Sequence, residues 1–60
     1  MKIKDFCISL IDAILDFYED HVKDISTFAE TGLRTKDTGF LVKFEDGSEY
    51  QVTIIKLKGD

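Results

Sequence analysis

The sequence contains no proline, a single cysteine, a single histidine and no long uninterrupted apolar run. Each of these excludes something. One cysteine cannot close an internal disulfide, and Cys7 with His21 is too thin a set for a structural zinc site, which takes four ligands. A membrane-spanning helix needs about 20 consecutive apolar residues, and no stretch approaches that length. Lys2 and Lys4 open the chain, but Asp5, Asp12 and Asp16 interrupt the apolar core that a signal peptide would require. The expectation is a cytoplasmic protein that neither crosses nor binds a membrane. Without proline nothing forces a break, which suits a regular helix and strands joined by short turns.

Sixty residues make one domain, spanning 1–60, of a size that folds alone only marginally. Chains this small usually gain stability from disulfides, a metal or oligomerisation. The first two have no ligands here, so association is the remaining route. A hydrophobic content of 43% argues for a folded chain over a disordered one.

The stretch Asp5 to Glu30 reads as one long helix. Asp5 suits its N-cap, and Gly32 its end, where a left-handed residue is favoured. The weak stretch Asp24–Thr27 marks where it could bend. Thr27 and Glu30 have the spacing of a capping box, so a short second helix could restart there. At about 100° per residue, the apolar side chains from Ile3 to Ala29 cover an arc of roughly 200°. A core-facing helix needs a stripe only somewhat wider than about 100°. The surplus calls for a second copy of the chain, with Ile3, Phe6, Leu10, Phe17 and Phe28 as the expected dimer interface.

Residues 31–39 form a polar linker in which Leu33 should tuck against the helix end. Arg34–Thr38 is open as a loop or a short third edge strand. Beyond it, Phe40–Phe44 and Glu49–Leu57 are rich in β-branched and aromatic residues and flank Asp46-Gly47. A two-residue loop would set Phe44 opposite Glu49, mixing apolar and polar side chains on one face. A three-residue loop, Glu45-Asp46-Gly47, sets Val42 opposite Tyr50, Phe40 opposite Val52 and Lys43 opposite Glu49. Phe40, Val42, Phe44, Tyr50, Val52 and Ile54 then share an apolar face, and the three-residue register is expected. The fold class is therefore α+β: a long N-terminal helix packed on a C-terminal antiparallel hairpin, paired through the helix into a homodimer.

Charge is uneven. Residues 1–30 carry the whole net charge of −4, and residues 31–60 are neutral. Asp12, Asp16, Glu19 and Asp20 fall on one helical face, expected to be solvated or to meet a basic partner. They diverge on a convex surface, so they make no cation cage. The acidic exterior disfavours nucleic acid. Arg34, Lys36, Lys56 and Lys58 could converge into a small patch for an anionic small molecule or nucleic acid between subunits, although solubilising lysines on a strand edge explain them as well. Cys7 lies on the apolar arc, where a small buried hydrophobe is expected. His21 sits at its rim without a serine or cysteine nucleophile to serve, and Tyr18 and Tyr50 fit the core pattern. A nucleophile, a base and an oxyanion donor cannot be assembled from these residues. The expectation is a protein that is no enzyme and takes no cofactor or metal.

The small size, the acidic helix and the hairpin Phe40–Tyr50 resemble the short proteins of phages and mobile elements. That resemblance implies an inhibitor or adaptor that binds and blocks a larger protein.

Overall fold

A computed structural model describes residues 1–32 and 35–59. Helix α1 (Ile3–Phe17) leads into strand β1 (Val22–Thr27), a single helical turn α2 (Phe28–Thr31), and strands β2 (Thr38–Phe44) and β3 (Glu49–Ile54). The strands form one antiparallel sheet in the order β1-β2-β3, and α1 packs across β2. The fold is α+β, an N-terminal helix on a three-stranded sheet. No helix among the described residues is long and apolar enough to cross a membrane.

The hairpin has the expected register. Val42 faces Tyr50, Phe40 faces Val52, and Lys43 faces Glu49, with a 3.6 Å ion pair between the last two. Gly47 takes φ 93°, and its amide donates to the Phe44 carbonyl. The Phe44 amide in turn donates to the Ser48 carbonyl, closing the loop. β3 stops at Ile54 rather than Leu57 because β2 begins at Thr38, the partner of Ile54, and offers nothing further to pair with.

The single helix over Asp5–Glu30 is not what forms. α1 ends at Phe17, and Val22–Thr27 is a strand. Two forces explain the change. Asp16, Glu19 and Asp20 crowd the negative end of the helix dipole, with no basic residue in the last turn to offset them. A two-stranded hairpin is also marginal by itself, and a third strand completes a sheet that can stand. A bulge at Lys23 lets Val22 and Ile25, three residues apart, both lie with the inward set of β2, opposite Phe44 and Val42. That three-residue spacing is what makes the strand read as helix. The third strand thus comes from Val22–Thr27, on the far side of β2 from the hairpin partner. Leu33 and Arg34 lie outside the described residues.

At the start of α1, Lys2 occupies the cap position and Asp5 lies in the first turn, where it still favours the positive end of the dipole. The Thr27–Glu30 capping box is formed. The Thr27 amide donates to Glu30 Oε1 at 2.9 Å, and the Glu30 amide donates to Thr27 Oγ1 at 3.2 Å. Gly32 closes α2 at φ 76°. The turn of α2 places Phe28 in the core, over a glycine that must stay bare. A β-carbon at Gly39 would come within 2.7 Å of the Phe28 ring and would also meet the Val52 carbonyl.

Only Cys7, Phe28, Phe40 and Val42 are buried hydrophobic residues among those described. The chain exposes 4955 Å², against about 4,000 Å² for a typical monomer of its mass. Its radius of gyration is 12.0 Å, against about 10 Å for a compact chain of its length.

Two carboxylates titrate with the fold. The bond from the Thr27 amide, followed by the Thr27 hydroxyl, holds Glu30 below its ordinary pKa of 4.5. The Ser48 hydroxyl, followed by its amide, holds Asp46 below 3.8. Both pKa values are depressed in the folded state, so the stability they contribute is present above those ordinary values. It is lost as pH falls through the lowered ones. Urea midpoints are expected to be level from neutral pH into the carboxylate range and to fall below it. Glu30→Gln should shallow that acid slope, and an unchanged slope would contradict the capping role.

Candidate functional site

Beyond Phe17 the chain reverses in a tight turn. The Tyr18 carbonyl accepts from the His21 amide at 2.8 Å and from the Val22 amide at 3.1 Å. The His21 carbonyl then accepts from the Glu45 amide at 2.8 Å, tying this turn to the hairpin loop. Tyr18 and His21 are thereby brought against Phe44, Glu45 and Asp46, which lie far from them in sequence.

An open cleft of about 770 Å³ results, lined by Tyr18, His21, Phe44, Glu45, Asp46 and Tyr50 among others. Three of its rings run in series. Tyr18 and Phe44 meet edge to face at 5.9 Å between centroids, and Phe44 and Tyr50 do so at 5.7 Å. Phe17 continues the series outward, 4.8 Å from Tyr18. Val42 and Val52 complete an apolar lining, and acids stand in the loop. Asp46 Oδ1 accepts from the Ser48 amide at 2.9 Å and from the Ser48 hydroxyl at 2.6 Å. These bonds, the hydroxyl's first and the amide's second, hold the carboxyl below its ordinary pKa.

Tyr18 and Tyr50 were expected in the core. They are 42% and 57% exposed and line the cleft instead. His21 is exposed in the turn that ends the helix. Cys7 is buried, as a small hydrophobe on the inner face of α1. It also lines a smaller hollow of about 340 Å³ with Ile8, Phe28, Lys4 and Lys36. Lys56 and Lys58 line a different hollow of about 230 Å³ with Met1, Ile3 and Phe6. The basic residues do not share one hollow, and Arg34 lies outside the described residues.

Asp12, Asp16, Glu19 and Asp20 are all exposed, but the helix ends before the last two. Glu19 and Asp20 belong to the turn beside the cleft rather than to one helical face with Asp12 and Asp16. Among the described residues no three His, Cys, Asp or Glu side chains are grouped to hold a metal ion.

Of the five residues expected at a dimer interface, Phe17 and Phe6 are 79% and 46% exposed. Ile3 and Leu10 are half-buried beside them. Phe28 is taken up inside the chain at 5% exposure. Met1, Ile55 and Leu57 are also exposed, and Met1 and Ile55 line the same hollow as Phe6. On the opposite flank of α1, Ile8 and Leu15 are exposed too.

No protein-family model matches the chain, and neither does a curated protein or a solved structure.

Proposed function

We propose that this is a non-enzymatic, protein-binding module, a homodimer of phage or mobile-element type that acts in the cytoplasm as an inhibitor or adaptor by blocking a larger protein. The observation that carries the reading is the uncovered apolar surface. The exposed area exceeds that of a typical monomer by about a quarter. Large apolar side chains stand exposed in it: Phe6 and Phe17 on one flank of α1, and Met1, Ile55 and Leu57 around the chain ends. At roughly 150–250 Å² for each aromatic side chain, with the aliphatic ones added, these residues present several hundred Å². A standard stable interface takes about 800 Å² from each partner.

A second copy is the first occupant to expect. A two-fold pairing brings the same flank from both chains together and leaves no open end. The sheet edge supports the same side. β1 carries the bulge at Lys23 together with the charged Lys23 and Asp24, features that discourage strand addition. β3 is the unbulged edge, and its extension carries Ile55 and Leu57. With that side occupied by the second copy, the acidic turn of Glu19 and Asp20 is left to face a target, and the aromatic cleft borders the paired flank through Phe17 beside Tyr18 and through Tyr50 on β3.

Sedimentation at micromolar concentration tests the dimer and should return twice 6.9 kDa. A stoichiometric complex with one larger protein that loses its activity on binding supports the blocking role. Turnover of generic ester or phosphate substrates that vanishes in His21→Ala would overturn the non-enzymatic reading.

A further inference from the structure

We propose that the cleft between the end of α1 and the hairpin loop binds a cationic side chain, an arginine or lysine carried on an exposed segment of a partner protein. The proposal rests on the reading of the chain as a protein-binding module and names what that module recognises.

Three features of the cleft converge on this ligand. Its walls are aromatic, and a ring presents a negative face to which ammonium and guanidinium groups are attracted. Tyr18 and Tyr50 each stand nearly perpendicular to Phe44, at 83° and 74°. The Phe44 ring therefore lies across the planes of both tyrosines. Its loop is acidic: Glu45 and Asp46 line the cleft, and Glu19 and Asp20 occupy the turn beside it. Lys43, the nearest lysine along the chain to the loop, is paired with Glu49.

The third feature is the readiness of Asp46. Both Ser48 bonds fall on Oδ1, which fixes the carboxylate, and Oδ2 accepts no hydrogen bond from the described residues. A fixed carboxylate with one open oxygen suits a guanidinium or ammonium N–H.

The openness of the cleft chooses between a free cation and one carried on a chain. Pockets that hold small molecules enclose most of the ligand surface. This cleft lies open along one side, so an isolated amine would keep much of its contact with water. A side chain delivered on a backbone gains further contact along Tyr50 and the loop.

The test is an NMR titration of the full chain with two capped pentapeptides, Ala-Ala-Arg-Ala-Ala and its citrulline counterpart, which is nearly isosteric and uncharged. The arginine peptide is expected to shift the ring signals of Tyr18, Phe44 and Tyr50. The citrulline peptide should bind at least about fivefold more weakly. Tyr50→Leu should weaken the arginine complex by about threefold to thirtyfold, the range of an exposed to a partly desolvated cation–π contact. Asp46→Asn keeps an acceptor for Ser48 and removes the charge, and it should weaken binding while the amide spectrum of α1 and β2 stays unchanged. Equal binding of the two peptides, shifts centred away from the cleft, or no shift at about 10 mM, where even weak complexes register, would overturn the proposal. Methylguanidinium binding as tightly as the peptide would reassign the cleft to a free cation and likewise overturn it. Should the peptides fail while a target protein is still retained, the cleft is refuted and the protein-binding reading stands.

Discussion

Phe40→Ala is expected to unfold the protein at room temperature. Phe40 is the one large side chain with no exposed surface among the described residues. It sits in the central strand, flanked by Thr27 on β1 and Val52 on β3. Truncating a buried phenylalanine costs about 3–5 kcal/mol, part from lost transfer energy and part from the cavity left behind. A core of this size rarely supplies more than about 3–5 kcal/mol in all. The two quantities match, so the variant has no margin. Circular dichroism should show no cooperative thermal transition for Phe40→Ala. Thr53→Ala, an exposed position, should stay within about 0.5 kcal/mol of the parent. A folded Phe40→Ala with a modestly lowered midpoint would mean that the core is not centred on β2.

That core was largely legible in the sequence, because it follows from alternation and loop chemistry. The register of β2 and β3 is fixed by Gly47 and by the demand that Phe40, Val42 and Val52 share a face. Either constraint alone would leave a choice of loop. The extent of the helix was not legible. From Val22 to Ala29 the apolar residues recur at helical intervals, yet a bulge at Lys23 creates the first of those intervals within a strand. Two signals argued for the break. Acids gather where α1 should end, and a bare hairpin needs a third strand. Both are weaker than periodicity when a sequence is read locally. The cleft was out of reach for another reason. It depends on one backbone bond, from the Glu45 amide to the His21 carbonyl, which joins two turns that the sequence keeps apart. Tyr18 and Tyr50 both fit the core pattern, and nothing in that pattern sets them at the walls of an open cleft.

Phe17→Asp is expected to abolish the dimer while leaving the fold of each chain in place. The separation of the two effects comes from exposure. At 79% exposed, Phe17 contributes little to the packing of its own chain, and its ring touches Tyr18 from outside. In a two-fold pairing the residue is used twice. An aromatic anchor at the centre of an interface contributes about 2 kcal/mol or more on truncation. Two such losses, before the cost of burying two carboxylates, weaken the dimer by a factor on the order of a thousand. Phe6 lies eleven residues earlier, about three turns along nearly the same line of the helix, so Phe6→Asp should act in the same direction. Leu10→Asp should behave differently, because Leu10 is half-buried against the sheet and its loss should unfold the chain. Asp16→Ala, on the solvent side, should leave assembly intact. Light scattering should read twice 6.9 kDa for the parent and 6.9 kDa for Phe17→Asp at micromolar concentration. The parent's thermal midpoint should rise with concentration, as coupled folding and association require, and that of Phe17→Asp should not. A parent that stays monomeric, or a Phe17→Asp variant that stays paired, would remove this flank of α1 as the interface.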